Sequence, residues 1–266
     1  MALSTPYNEA TGQADARWLG LDGANALRSG NRTMLIEPEI EDFSIVLVGD
    51  FNPPIFTPDW FLRNGIIGPE AAADAKIDLI HPEFSQLEIA NCKLVVERNK
   101  FTISTQAAPS VKILDVTTKA FAEALPHTPI RFFGVNRSVH FSVGKESIRT
   151  SIGRMLAPTA CWGEWKADIE KGEGLEASGM LSLSMMAVQV EPPFRRKTTA
   201  TVQPSAQLRD PLIGIFMLVN DHFEPRDAKP ESEAVLIKLS EVFDHSIRHS
   251  EWIIDQIMKL KKKANA

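Results

Sequence analysis

From Glu231 to Lys263 the chain places apolar residues at Leu236, Leu239, Phe243, Ile247, Ile254 and Ile257, a spacing of three or four broken at Ser250. A period near 3.6 sustained over that length demands one helix with a single apolar face, and it constrains the fold more than any other stretch. Such a helix is nearly as long as a compact body of this size is wide. Its first half, Ala234 to Ile247, is dense enough in apolar residues to be core of its own chain. The second half thins to Ile253, Ile254, Ile257, Met258 and Leu260, then ends in Lys259, Lys261, Lys262 and Lys263, cations that suit the negative end of a helix dipole. The pattern predicts that this second half reaches beyond the fold and packs on another subunit through Ile253, Ile254, Ile257 and Met258.

Upstream, short strands alternate with short helices. Phe43–Phe51 is a near-continuous apolar run of strand length. Thr57 fits an N-cap before Pro58, and Asn64 with Gly65 a helix stop. A short helix within Gly68–Lys76 and a strand at Ile77–Ile80 follow. Gln86–Gln106 reads as extended segments reversing at Arg98, Asn99 and Lys100, and Val111–Leu125 as a helix behind a Ser110 cap.

The pattern then begins again. Ile130–Val143 is an alternating strand and Glu146–Leu156 a helix. Strands at Gly179–Val190 and Lys197–Leu208 surround a loop through Glu191–Lys197, and Leu212–Val219 is a third strand before the long helix. The expected class is α+β: antiparallel sheet from two strand-helix-strands-helix pseudo-repeats with a long C-terminal helix. An arm (1–38) precedes a first half (39–127) and a second half (128–266), the latter carrying the helix at 231–263.

Asn52-Pro53-Pro54 beside the first strand and the segment LSEVFDHSI within the last helix resemble a sporadically distributed family of uncharacterised bacterial proteins. In that family the Asn-Pro-Pro more often precedes the strand. It carries no assigned activity, so the resemblance implies no catalytic residue.

A net charge of -5 and a pI near 5.7 argue against nucleic acid as a main partner, which needs a concentrated basic surface. The cluster Arg195, Arg196, Lys197 reads as a solvated loop. Two cysteines, Cys92 and Cys161, make neither a disulfide framework nor a zinc set, and point to a reducing compartment. The opening residues lack the shape of a signal peptide, and no run has the length of a membrane span, so a cytoplasmic protein without membrane contact is expected.

Motifs for chemistry are incomplete. Gly172, Gly174 and Gly179 miss the dinucleotide spacing. His245 and His249 stand four apart with Glu241 a turn earlier, but Ser246 occupies the position where a zinc peptidase needs glutamate, and nearby ion pairs explain the same face. No metal or cofactor is expected. No G-x-S-x-G elbow occurs, and Cys161 with His140 or His222 is a weaker reading than a small buried thiol.

Asp50 and Asn220-Asp221-His222 each end an apolar strand, where functional groups gather. Trp162, Gly163, Glu164 and Trp165 concentrate indole area around a glycine, suited to a contact surface or ligand wall. Arg137 shares parity with Val135, Val139, Phe141 and Val143, so its guanidinium must snorkel, pair with a carboxylate or meet a partner. Two functions remain: a non-catalytic assembly or regulatory protein, homo-oligomeric through the long helix, or a small-molecule binder or enzyme. The second would use a cleft between the halves walled by Arg137, Trp162, Glu164, Trp165, Asp221 and His222.

Overall fold

The computed structural model describes residues 34–171, 179–226 and 231–264. Its centre is a pair of antiparallel strands, β1 (Ile40–Gly49) and β6 (Ile130–Ser142), with Phe43 opposite Arg137. The meander β2 (Lys76–His81), β3 (Phe84–Ile89), β4 (Cys92–Glu97) and β5 (Lys100–Thr105) returns to pair β5 with β1. The meander β7 (Leu183–Glu191), β8 (Phe194–Pro204) and β9 (Gly214–Pro225) returns to pair β9 with β6. The result is one nine-stranded antiparallel sheet in the order β2-β3-β4-β5-β1-β6-β9-β8-β7.

Between β1 and β2 run two short helices, α1 (Pro58–Arg63) and α2 (Pro69–Ala73); α3 (Val111–Thr118) follows β5 and continues as a π-helical turn, Lys119–Ala124. Thr57 caps α1 as expected, its hydroxyl accepting from the Trp60 amide at 3.2 Å. Ser110 does not cap α3: its backbone is already helical and its side chain makes no cap bond. The second half carries α4 (Glu146–Leu156), a 3-10 turn at Thr159–Trp165, α5 (Lys166–Ile169) and the long helix α6 (Ser232–Ala264).

One sheet face is dry. Ile45, Leu47, Leu94, Val96, Phe101, Ile103, Phe133 and Phe223 are buried there, with a knot of rings beneath α1 and α3 in which Phe101 and Phe121 meet edge to face at 4.8 Å. The opposite face is polar along its middle, where Ser104, Ser44, Asn136, Asn220 and Thr199 share one register across adjacent strands.

Three sequence expectations change. A second tight reversal stands at Ala90 and Asn91, both at positive φ (52° and 63°), inside a stretch expected to run extended. The stretch Phe194–Lys197, expected as loop, is strand, because Pro192 and Pro193 alone make the turn between Glu191 and Phe194. And β9 runs on to Pro225, so Asp221 and His222 lie within a strand rather than at its end.

The long helix is corrected most. It crosses β6 and β9 and touches α3 and α4, and its second half stays on the body. Ile254 is fully buried and Met258 nearly so, within this one chain, which removes both from the proposed oligomer interface; Ile253 and Ile257 are half-buried. The break at Ser250 is no gap. Ser246 and Ser250 are buried, and their small side chains let the helix lie close to the sheet while the Ser250 hydroxyl donates to the Ile247 carbonyl at 2.6 Å. Asp255, also buried, accepts from the Leu35 amide at 2.9 Å, which ties the chain before β1 to the helix. Of the expected arm, residues 1–33 lie outside the described residues, as do Gly172 and Gly174 of the glycine-rich loop.

Candidate functional site

Arg137 does what a strand-interior guanidinium under a helix must do: it pairs. Its Nε donates to Glu41 Oε1 at 2.6 Å, its Nη2 reaches the same oxygen, and its Nη1 lies 2.8 Å from Glu251 Oε1 on α6. The guanidinium also stands 5.1 Å from the centre of the Phe43 ring. With carboxylates from β1 and α6 on one buried cation, the group locks the helix to the central strands. It faces no cavity.

A second buried guanidinium escapes the sequence reading. Arg196 is 4% exposed, with Nε at 3.1 Å from Asp221 Oδ1 and Nη2 at 2.5 Å from Oδ2, a forked pair across β8 and β9. Thr198 donates to Asp221 Oδ1 at 2.5 Å, and Arg196 Nη1 and Nη2 lie 3.2 and 2.7 Å from His245 Nε2 and His249 Nδ1. A guanidinium has only donors, so both imidazole nitrogens accept. Burial alone raises the pKa of such a carboxyl, but the Arg196 guanidinium and the Thr198 hydroxyl together hold Asp221 well below the usual carboxylate range. The signal for Arg196 was the alternation Phe194, Arg196, Thr198, Ala200, Val202, hidden when the first residues are taken as loop.

His245 and His249 therefore spend these lone pairs on a cation of the chain itself. The rings stack 5.9 Å apart, and Trp252 stacks on His249 at 5.8 Å. Glu241, a turn earlier, is exposed.

The residues expected to share a cleft wall do not converge. Asp221 lies under α6, whereas His222 points from the other sheet face, near Glu224 (3.4 Å) and the Phe132 ring (5.0 Å). A strand's period of two separates neighbours in sequence by the thickness of the sheet. Trp162, Glu164 and Trp165 stand exposed on the 3-10 turn, the two indoles edge to face at 5.4 Å. Cys161 beside them is exposed, while His140 is held by Ser205 at 2.8 Å. A shallow hollow of about 410 Å³ lies by Asp50, Asn52, Phe56 and His127, and Arg131 pairs with Asp50 at its rim, 3.0 Å away. None of the six expected wall residues lines it.

The surface that stands out is strand β7. Its side chains alternate between the sheet faces as those of any strand do, yet both faces are wet: Met185 is 67% exposed, Met186 62%, Val190 52% and Val188 43%. Leu181, just before it, is also exposed, as are Trp162 and Trp165. Among the described residues β7 is the end strand, bonded on one side to β8 without a register shift from Leu183 to Glu191. Peptide groups alternate in direction along a strand, so half of those in β7 face away from the sheet.

The other edge is built differently. β2 carries Lys76, Asp78 and His81, and its pairing with β3 slips between Ile77 and Leu79. Charge and a bulge are standard protections of an edge. From Leu183 to Val190, β7 has neither charge nor proline.

Among the described residues, no helix is long and apolar enough to cross a membrane. No protein-family model matches the chain, and a search of the curated proteins finds no match either.

Proposed function

We propose that this chain is a non-catalytic assembly or regulatory protein of a bacterial cytoplasm, acting as a homo-oligomer through protein contacts made by its second half. The observation that carries the reading is β7, an edge strand without charge from Leu183 to Val190 and with exposed Met185, Met186, Val188 and Val190. Apolar surface gathered on an edge that is unpaired among the described residues marks a contact site or an aggregation hazard, and a native sequence that leaves its central residues without charge has a use for them. Methionine suits such a surface because its flexible thioether adapts to a partner. The exposed Trp162 and Trp165 add indole area of the kind that anchors interfaces.

The topology also supports reading the halves as structural repeats. Each opens on a central strand, inserts helices, returns through a meander to pair with that strand, and closes on a helix. In this reading the sheet and the Arg137 and Arg196 clusters are scaffold, and the contacts lie at the β7 end.

The test is the mass in solution, by light scattering over a concentration series, of the unaltered chain and of two variants. One carries Met185→Ser, Met186→Ser, Val188→Thr and Val190→Thr; the other carries Trp162→Ala and Trp165→Ala. The reading expects an oligomer that at least one variant breaks down. A one-chain mass for the unaltered protein throughout, or an oligomer indifferent to both variants, overturns it.

A further inference from the structure

We propose that β7 pairs antiparallel with β7 of a second copy about a two-fold axis through Ala187, joining two nine-stranded sheets into one. The inference rests on the assembly reading above and supplies the partner and the register.

Three features select a second copy as the occupant. Between Leu183 and Val190 there is no charge, so a strand laid against itself meets no like-charge opposition, whereas an edge such as β2 would bring Lys76 and Asp78. The strand is unbulged over its whole length, and a flat edge is the form that pairs edge to edge. Its exposed apolar residues fall on both faces, so only a partner that continues the sheet covers both at once; a helix laid on one face leaves the other wet.

The register follows from the strand itself. Leu183–Glu191 is nine residues long with Ala187 at its midpoint, and pairing about Ala187 is the arrangement in which every residue finds a partner. Residues directly opposite in an antiparallel ladder share a face, and an axis normal to the sheet through a residue preserves parity. On the face of Thr199 and Lys197, Met186 then stands against Val188 of the copy. On the helix-bearing face, Met185 stands against Gln189 and Ala187 against Ala187. The smallest side chain of the strand sits on the axis, where two identical groups must meet.

The experiment uses the full 266-residue chain. By light scattering the unaltered protein should have twice the 29.5 kDa mass of one chain. Met186→Glu combined with Val188→Glu sets like charges across the axis and should give the one-chain mass. Met186→Lys combined with Val188→Glu sets opposite charges there and should restore the dimer, with Glu at 188 also facing Lys197 of its own chain. Circular dichroism on both confirms the fold, so a fall in mass is read as lost pairing.

For the register, Ala187→Cys in a Cys161→Ser background should form a disulfide-linked dimer under mild oxidant, because residues opposite on the axis are close enough for that bond. Met185→Cys in the same background should not, since each copy would be four residues out of register with itself. A one-chain mass for the unaltered protein means that the edge serves another occupant or none, and it overturns this inference together with the assembly reading. A dimer that survives paired glutamates but is lost with Trp162→Ala and Trp165→Ala overturns the inference alone. Cross-linking at Met185→Cys and not at Ala187→Cys overturns the register.

Discussion

Arg196 and Asp221 face each other across β8 and β9 with two hydrogen bonds, 3.1 and 2.5 Å long, both side chains sealed beneath α6. A forked pair removed from water is favourable only when its remaining groups are satisfied, and here Thr198, His245 and His249 supply those contacts. The arrangement joins β8 and β9 to the long helix.

Removing one partner leaves the other charged and buried. Asp221→Ala should destabilise the fold by about 3–5 kcal/mol, read as a lower midpoint in urea. Because the folded carboxyl titrates below its unfolded value, its contribution is fully present above the ordinary carboxylate range and fades as pH falls through the lower folded value. The stability gap between the unaltered chain and Asp221→Asn should therefore narrow once pH drops below about 4. A gap that stays constant to acid pH contradicts the pairing.

Arg137 is held by Glu41 and Glu251, each about a third exposed. Arg137→Ala opens a space at the centre of the sheet and leaves two carboxylates close together, which should destabilise by about 3 kcal/mol. Combining Arg137→Met with Glu41→Gln and Glu251→Gln removes all three charges while keeping most of the volume, and should recover at least half of that loss. Three independent single effects that simply add would refute the coupling.

Asp42 behaves in the opposite sense. Asp42 lies on the polar face, where partial burial pushes its carboxyl up to about 6, against a smaller pull from Lys93. An acid whose folded value is raised favours the fold below its unfolded pKa and loses that advantage as pH rises through 6. Asp42→Asn should therefore be more stable than the unaltered chain at pH 8, by about 1 kcal/mol once solvent around a half-buried group is allowed for, and no more stable at pH 4. Thermal midpoints at the two values read the difference; an equal shift at both would sink the assignment.

Local signals were legible where neighbours in sequence decide the outcome. The Thr57 cap, the stop at Asn64 and Gly65, the turn at Arg98 and Asn99, and the burial parity of Arg137 all depend on residues within a few positions. Arg196 is not legible because a strand begun at Lys197 starts three residues late, which turns a buried cation into a solvated one. Asp221 and His222 were joined by proximity in the chain, although the pleat sends them to opposite faces.

The long helix and the edge strand show the same division. From the sequence by itself, periodicity determined that Ser232–Ala264 is one helix with one apolar face, and alternation that the strands are antiparallel and half-buried. What lies against that face was decided by tertiary structure alone: the helix runs along β6, β9, α3 and α4, and Ile254 and Met258 are buried within this one chain. In the same way Met185, Met186, Val188 and Val190 are residue types expected inside. They are exposed because β7 comes last in the strand order, a property of how the whole sheet closes and not of any local stretch.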